Sequence, residues 1–135
     1  MKKVVACLMV ACALFAFGCS GRNAAFGVVD MKKVEAEAPA VKTIKDDLQK
    51  KAKELQEQMQ KETEGKSREE AEKIVQDKSA QMQVASSEAQ AKLKASLDTA
   101  LTEVSKEKNL SAVLIKDAVP SGGVDVTEDV IKKMK

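Results

Sequence analysis

The order of apolar and polar residues divides the chain into an apolar start, a helical middle and short β-forming segments. The start has two lysines, a continuous apolar run over 4–17 and small residues at 18–20. These are the three parts of a secretory signal peptide, and the run is shorter than the roughly 20 apolar residues of a membrane-spanning helix. Residues 1–18 are therefore predicted to be a signal peptide and residues 19–24 a short tether. An uncleaved membrane anchor is the alternative.

The middle of the chain, residues 31–108, has the composition of helices. Pro39 is expected in the first turn of a long helix, because proline is tolerated there and disrupts a helix interior. Gly65 predicts a helix end, and Ser67 with Glu70 matches a capping box at the start of the next helix. The pattern predicts a helical hairpin whose tip lies near 64–68.

The two predicted helices share only a narrow apolar seam. Apolar residues recur there every three or four positions, and Lys45, Glu62 and Lys78 interrupt them. A seam of this kind stabilises a pair of helices weakly, so we expect a mobile distal hairpin. The seam residues are Val41, Ile44, Leu48, Ala52, Leu55 and Met59 in the first helix and Val75, Met82, Ala85, Ala89, Leu93, Leu97, Ala100 or Leu101, and Val104 in the second.

The remaining segments are rich in β-branched residues. Residues 25–30 predict one short strand, and the continuous apolar run 112–115 predicts a strand buried on both faces. The Pro-Ser-Gly-Gly segment before Val124 predicts a turn between two further strands, at 118–119 and 124–126. Thr127 is expected to cap a last short helix. The apolar face of that helix would comprise Val130, Ile131 and Met134.

These strands are too short to form separate sheets, so we expect 25–30 and 109–135 to meet in one β body. The fold class is then α+β, mainly α, with a helical hairpin projecting from that body. A body of about 35 residues is below the size that usually folds unaided, so we expect several chains to share it. The residues expected in this oligomerisation body are Val28, Val29, Val113, Leu114, Ile115, Val119, Val126, Val130 and Ile131.

Composition argues against an enzyme. The chain has no His, Trp or Tyr. It therefore offers no Ser-His or Cys-His nucleophile pair and no imidazole ligand for zinc. The adjacent carboxylates at 46–47 and 69–70 would point about 100° apart on a helix. We predict no catalytic residue, no metal site and no cofactor.

Charge argues against nucleic acid as a partner. Of 23 Lys and Arg, Lys2 and Lys3 lie in the predicted signal, which leaves 21 basic against 21 acidic residues. A chain without net charge has no general basic surface for phosphates. Phe26 would be its only aromatic residue, so base-stacking platforms are lacking too.

One cysteine, Cys19, would remain after cleavage, because Cys7 and Cys12 lie in the apolar run. The segment Phe15-Ala16-Phe17-Gly18-Cys19 resembles a bacterial lipobox, in which the cysteine becomes the lipidated N-terminus. Cys19 is therefore a candidate lipidation site, and Ser20 resembles the signal for sorting to the outer membrane. Ordinary cleavage at the same bond, leaving a free thiol, is the alternative.

Several short motifs together resemble the Skp/OmpH family of periplasmic chaperones, over essentially the whole chain after the signal. The resemblance implies a trimer with a β-barrel-like body and three helical tentacles around a cavity for unfolded outer-membrane proteins. The motifs are Val28-Val29-Asp30-Met31, the Gly65-Lys66-Ser67 tip, Val113-Leu114, Ala118-Val119, Gly122-Gly123-Val124-Asp125-Val126-Thr127 and Val130-Ile131.

The function expected from this resemblance is that of a periplasmic, ATP-independent holdase for unfolded outer-membrane proteins. The chain would act as a homotrimer, tethered to the inner leaflet of the outer membrane if Cys19 carries lipid. No client-binding residue is assigned, because Met and Leu at helical spacing usually form the seam itself. The alternative is a structural or adaptor envelope lipoprotein with coiled-coil arms, and Lys135 is compatible with cell-wall attachment.

Overall fold

The computed structural model describes residues 25–135, which form three strands and four α-helices with one 3-10 turn at Lys116–Ala118. The predicted signal peptide, the tether and the Cys19 lipidation site lie outside the described residues. The elements in chain order are β1 (Phe26–Val29), α1 (Met31–Glu37), α2 (Pro39–Thr63), α3 (Arg68–Glu107), β2 (Ala112–Ile115), β3 (Val124–Asp125) and α4 (Thr127–Lys133). The molecule is mainly helical with one small sheet.

The sheet joins the two ends of the described chain, as predicted. β1 lies in the centre, with β2 on one side and β3 on the other, and both neighbours run parallel to it. Val28 of β1 pairs with Leu114 of β2 and with Asp125 of β3. Parallel strands need a long connection between them, and here α1, α2 and α3 supply the connection from β1 to β2.

One core lies between the sheet, α1, α4 and the adjoining ends of α2 and α3. Val104, Val126 and Val130 have no exposed surface, and the next-to-last residue, Met134, is 1% exposed. The last helix is therefore part of the core. The buried cluster comprises Val29, Val34, Ala38, Ala40, Val41, Ala100, Val104, Val126, Val130, Ile131 and Met134. We call β1–β3, α1 and α4 the body.

The helical arm consists of α2, α3 and the connection at 64–67. Pro39 is the first residue of α2, as predicted. Gly65 at the tip has a φ of +72°, in the left-handed region that favours glycine. The Ser67 capping box is confirmed: Ser67 Oγ accepts from the backbone N–H of Glu70, and the Glu70 carboxylate accepts from the backbone N–H of Ser67 at 3.0 Å.

Two strand predictions were wrong for this chain. The 118–119 segment is not a strand, because residues 116–118 form a 3-10 turn and the chain then bends through Gly122 and Gly123, both with positive φ. β2 is not buried on both faces. It is an edge strand, since β1 is its only partner among residues 25–135, and three of its four residues are exposed.

The start of the last helix also differs from the prediction. Val126, not Thr127, is the N-cap residue, and Thr127 is the first helical residue. The Thr127 hydroxyl has other partners: it accepts from the backbone N–H of Asp30 at 3.0 Å and donates to Asp125 Oδ1 at 2.6 Å. A residue that holds two segments together in this way is not free to cap its own helix.

Candidate functional site: sheet edges and helical arm

The two edges of the sheet leave apolar side chains exposed. Leu114 and Ile115 on β2 are 44% and 53% exposed, and Val124 on β3 is 45% exposed. They are three of the five large hydrophobic residues that are exposed among residues 25–135. An edge strand also presents unpaired backbone N–H and C=O groups. Each edge therefore offers both apolar contact and open hydrogen-bonding groups.

The residues predicted for the oligomerisation body differ in exposure. Val113 and Val119 are half-buried, whereas Leu114 and Ile115 are exposed. Within one chain, only these last two are open to a partner. The remaining predicted residues belong to the chain's own core or lie buried on β1: Val28, Val29, Val126, Val130 and Ile131.

Sequence reasoning missed two features of the body. It assigned Val124 to a strand but did not include it among the oligomerisation-body residues, although Val124 lies on the second sheet edge. It also missed the capping role of Asp30, whose side chain accepts from the backbone N–H groups of Lys32 and Lys33 at the start of α1. An aspartate directly before a helix is a recognised capping signal, so Asp30 could have been found; the exposure of Val124 depends on the strand order.

Ion pairs surround the body on its outer surface. Lys32 lies 2.9 Å from Asp117, and Lys116 lies 2.8 Å from Asp125. These pairs are exposed, so each stabilises the fold weakly. Hydrogen bonds from the Lys116 ammonium and from Thr127 hold the pKa of the Asp125 carboxyl well below its ordinary value. Further pairs join Lys33 to Glu128, Lys108 to Asp129, and Lys133 to Glu103 and Glu107.

The arm carries two shallow hollows along its seam. One has a volume of about 180 Å³ and lies between Ile44 and Leu48 of α2 and two alanines, 85 and 89, of α3. Four charged residues also line this hollow: Asp47, Lys51, Glu88 and Lys92. The other, of about 210 Å³, lies beside Leu55, Met59 and Met82. Small residues leave these gaps, and methionine can adapt to irregular apolar partners. The hollows could receive single apolar side chains.

Two of the predicted interruptions of the seam pair with each other. Lys78 of α3 is only 8% exposed, and its Nζ lies 2.9 Å from Glu62 Oε1 of α2. The third interruption, Lys45, is exposed. Lys78 and Glu62 therefore form a polar contact between α3 and α2.

Neither a protein-family model nor a curated protein matches this chain. Its likeness to the Skp/OmpH family thus rests on the short motifs given above and stays a prediction.

Residues 25–135 contain neither a metal-binding cluster nor a membrane-spanning helix. No group of three or more Cys, Asp or Glu side chains there could hold a metal ion. None of the helices in that range is long and apolar enough to cross a membrane.

Proposed function

We propose that this protein is a periplasmic, ATP-independent holdase that binds unfolded outer-membrane proteins and prevents their aggregation. The observation that carries the proposal is the combination of a small sheet with two exposed apolar edges and a helical arm rooted beside it. The exposed edges would pair with the sheets of other copies. The arms of the assembled copies would then enclose a client.

The proposed assembly is a homotrimer built through the sheet edges. β2 and β3 differ in sequence and length, so joining β2 of one copy to β3 of the next is a heterologous contact. Contacts of this kind close into rings when the rotation allows it. Three-fold closure is what the family resemblance implies. Closure would cover Leu114, Ile115 and Val124 and leave no sheet edge open to clients.

The arms would hold clients by weak and distributed contacts. At 1.5 Å per residue, the 25 residues of α2 extend about 38 Å. An unfolded barrel protein exposes alternating apolar strands whose edges aggregate readily. Shallow hollows with adaptable Met and Leu side chains would take up such segments reversibly. Contacts of this kind need neither a catalytic residue nor nucleotide hydrolysis.

A lipid on Cys19 would place the body near the inner leaflet of the outer membrane, where barrel proteins are delivered. The tether of residues 19–24 would allow little separation from the bilayer. Nucleic acid is not among the proposed partners, because charge is balanced after the signal.

The experiment that tests the proposal is dilution of a denatured outer-membrane barrel protein into buffer without ATP. Light scattering is recorded with and without this protein at one trimer per client. We expect scattering to be suppressed near that ratio. A folded, assembled protein that leaves scattering unchanged would contradict the holdase, and the structural or adaptor lipoprotein would become the leading hypothesis.

A further inference from the structure

Lys78 is the only charged residue that is buried among residues 25–135. It occupies a seam position of α3, where the other buried residues of that helix are Ala100 and Val104. Its ammonium donates to Glu62 Oε1 at 2.9 Å and to Gln58 Oε1 at 3.2 Å, both on α2. The Glu62 side chain is 48% exposed, so the pair lies between the seam and water.

The arm differs on the two sides of this contact. Toward the body, Leu55 is 4% exposed, the seam residues that follow on both helices are half-buried, and the seam reaches the buried core at the base of the arm. On the far side lie residues 59–77, which we call the arm tip, and none of their side chains is buried. Ile74 is half-buried and Val75 is 42% exposed. Little apolar burial therefore holds the two helices together beyond Lys78.

A charged pair at this position lowers the cost of separating the helices. Replacing a buried ion pair by apolar side chains is often neutral or stabilising, because desolvation offsets much of the attraction. When the helices separate, Lys78 and Glu62 regain water, whereas an apolar layer would lose its burial. The layer at Lys78 is thus the place where the arm opens most readily.

We infer that Lys78 is a latch on the arm tip: residues 59–77 open and close as a unit while the rest of the arm stays paired. The ion pair with Glu62 is the contact that breaks and reforms. Opening exposes the seam side chains Met59 and Ile74, which the closed arm half-buries. This inference stands apart from the proposed holdase function, because it concerns only the pairing of α2 with α3.

Hydrogen–deuterium exchange on the purified protein tests the latch. In the unchanged protein we expect the amides of 59–77 to exchange at least about tenfold faster than those of 84–100, because a local opening exposes only the tip. Lys78→Met should slow exchange in the tip by about fivefold or more, because it removes the buried charge, whereas Glu62, at 48% exposure, stays solvated without its partner. Glu62→Gln should speed it by a similar factor, because it weakens the closed state and leaves the open state unchanged.

Lys73→Met is the matched control, because Lys73 is an exposed lysine within the tip. It should leave exchange within about twofold of the unchanged protein, as surface substitutions usually do. Uniform exchange along the arm would overturn the inference. So would an equal slowing by Lys73→Met and Lys78→Met. Failure of the client-scattering assay would contradict the holdase and leave these exchange results untouched.

Discussion

Three polar residues join the two ends of the described chain. Asp30 directly follows β1 and caps α1 with its side chain, and its backbone N–H donates to the hydroxyl of Thr127, which is 97 positions away. Thr127 in turn donates to Asp125 from its hydroxyl and from its backbone N–H. At the residue scale, this network sets where the last helix begins, and it holds that helix against the sheet.

Asp125→Asn should make stability less dependent on pH. At pH 7 we expect a free energy of unfolding about 1 kcal/mol lower, because the charge-assisted bond with Lys116 is lost. The pKa of the Asp125 carboxyl is lower in the folded chain than in the unfolded one. Its contribution is therefore present above about pH 4 and is lost as pH falls toward the folded value.

Urea unfolding followed by circular dichroism, at fixed protein concentration, measures the difference in free energy of unfolding between Asp125→Asn and the unchanged protein. The difference in free energy of unfolding between Asp125→Asn and the unchanged protein should become smaller below about pH 4. Asp98→Asn is the control, because Asp98 is exposed and makes no ion pair with any residue that the structure describes. A gap that stays constant down to pH 2.5 would show that Asp125 does not carry this dependence.

Gly123→Ala should destabilise the body more than Gly122→Ala. Both residues have positive φ, which costs a non-glycine residue about 1–2 kcal/mol. A Cβ on Gly123 would also lie 2.8 Å from side-chain atoms of Phe26 and Val28, whereas the nearest such atom to a Cβ on Gly122 is 3.9 Å away. We expect the free energy of unfolding to fall by about 3 kcal/mol in Gly123→Ala and by about 1–2 kcal/mol in Gly122→Ala. Equal losses in urea unfolding would rule out the close contact as the cause.

At the scale of elements, short local signals set the ends of the arm's helices. Pro39 begins α2, and the Ser67–Glu70 capping box begins α3. Hydrogen bonds from the backbone N–H of Ser67 and from its hydroxyl lower the pKa of the Glu70 carboxyl, so the charged form supports the cap. The connection between the helices is consequently short and its position is well defined.

Ser67→Ala should loosen the first turn of α3. Loss of an N-cap hydroxyl costs about 1 kcal/mol, which corresponds to about fivefold faster exchange of the nearby amides. Hydrogen exchange of residues 68–71 measures this change. Ser87→Ala, at an exposed position in the same helix, is the control and should have little effect. Equal exchange in the two variants would contradict a stabilising role for the cap.

At the scale of the whole molecule, the sheet edges decide how the proposed assembly forms. Leu114 and Ile115 are exposed on one edge, and Val124 on the other. A three-stranded sheet of this size gains stability by covering such edges. The arm has two exposed large apolar residues, Val75 and Val84, and Val84 at 58% exposure is the more exposed of them.

Ile115→Lys and Leu114→Lys should weaken the proposed trimer by about tenfold or more, because a charge would replace an apolar contact at its centre. Sedimentation equilibrium of each variant measures the association. Val84→Lys is the matched control, since it places the same charge on an exposed residue of the arm. An unchanged protein that stays monomeric at micromolar concentration would contradict the homotrimer, as would full assembly of both edge variants.

The sequence by itself determined the features that depend on neighbouring residues. The hairpin, its tip, the capping box and the apolar face of α4 follow from spacing and capping rules that act within a few positions. The meeting of the strands was also predictable, because short strands cannot remain alone. The features of the arm and of α4 have local causes, whereas the meeting of the strands follows from their shortness.

Only the tertiary structure decided which distant groups come together. The strand order makes β2 an edge, although its apolar run is typical of a buried strand. The pairing of α2 with α3 places Lys78 beside Glu62, and the sheet brings Thr127 to Asp30. Local patterns do not specify such pairings, because each depends on the packing of segments far apart in the chain.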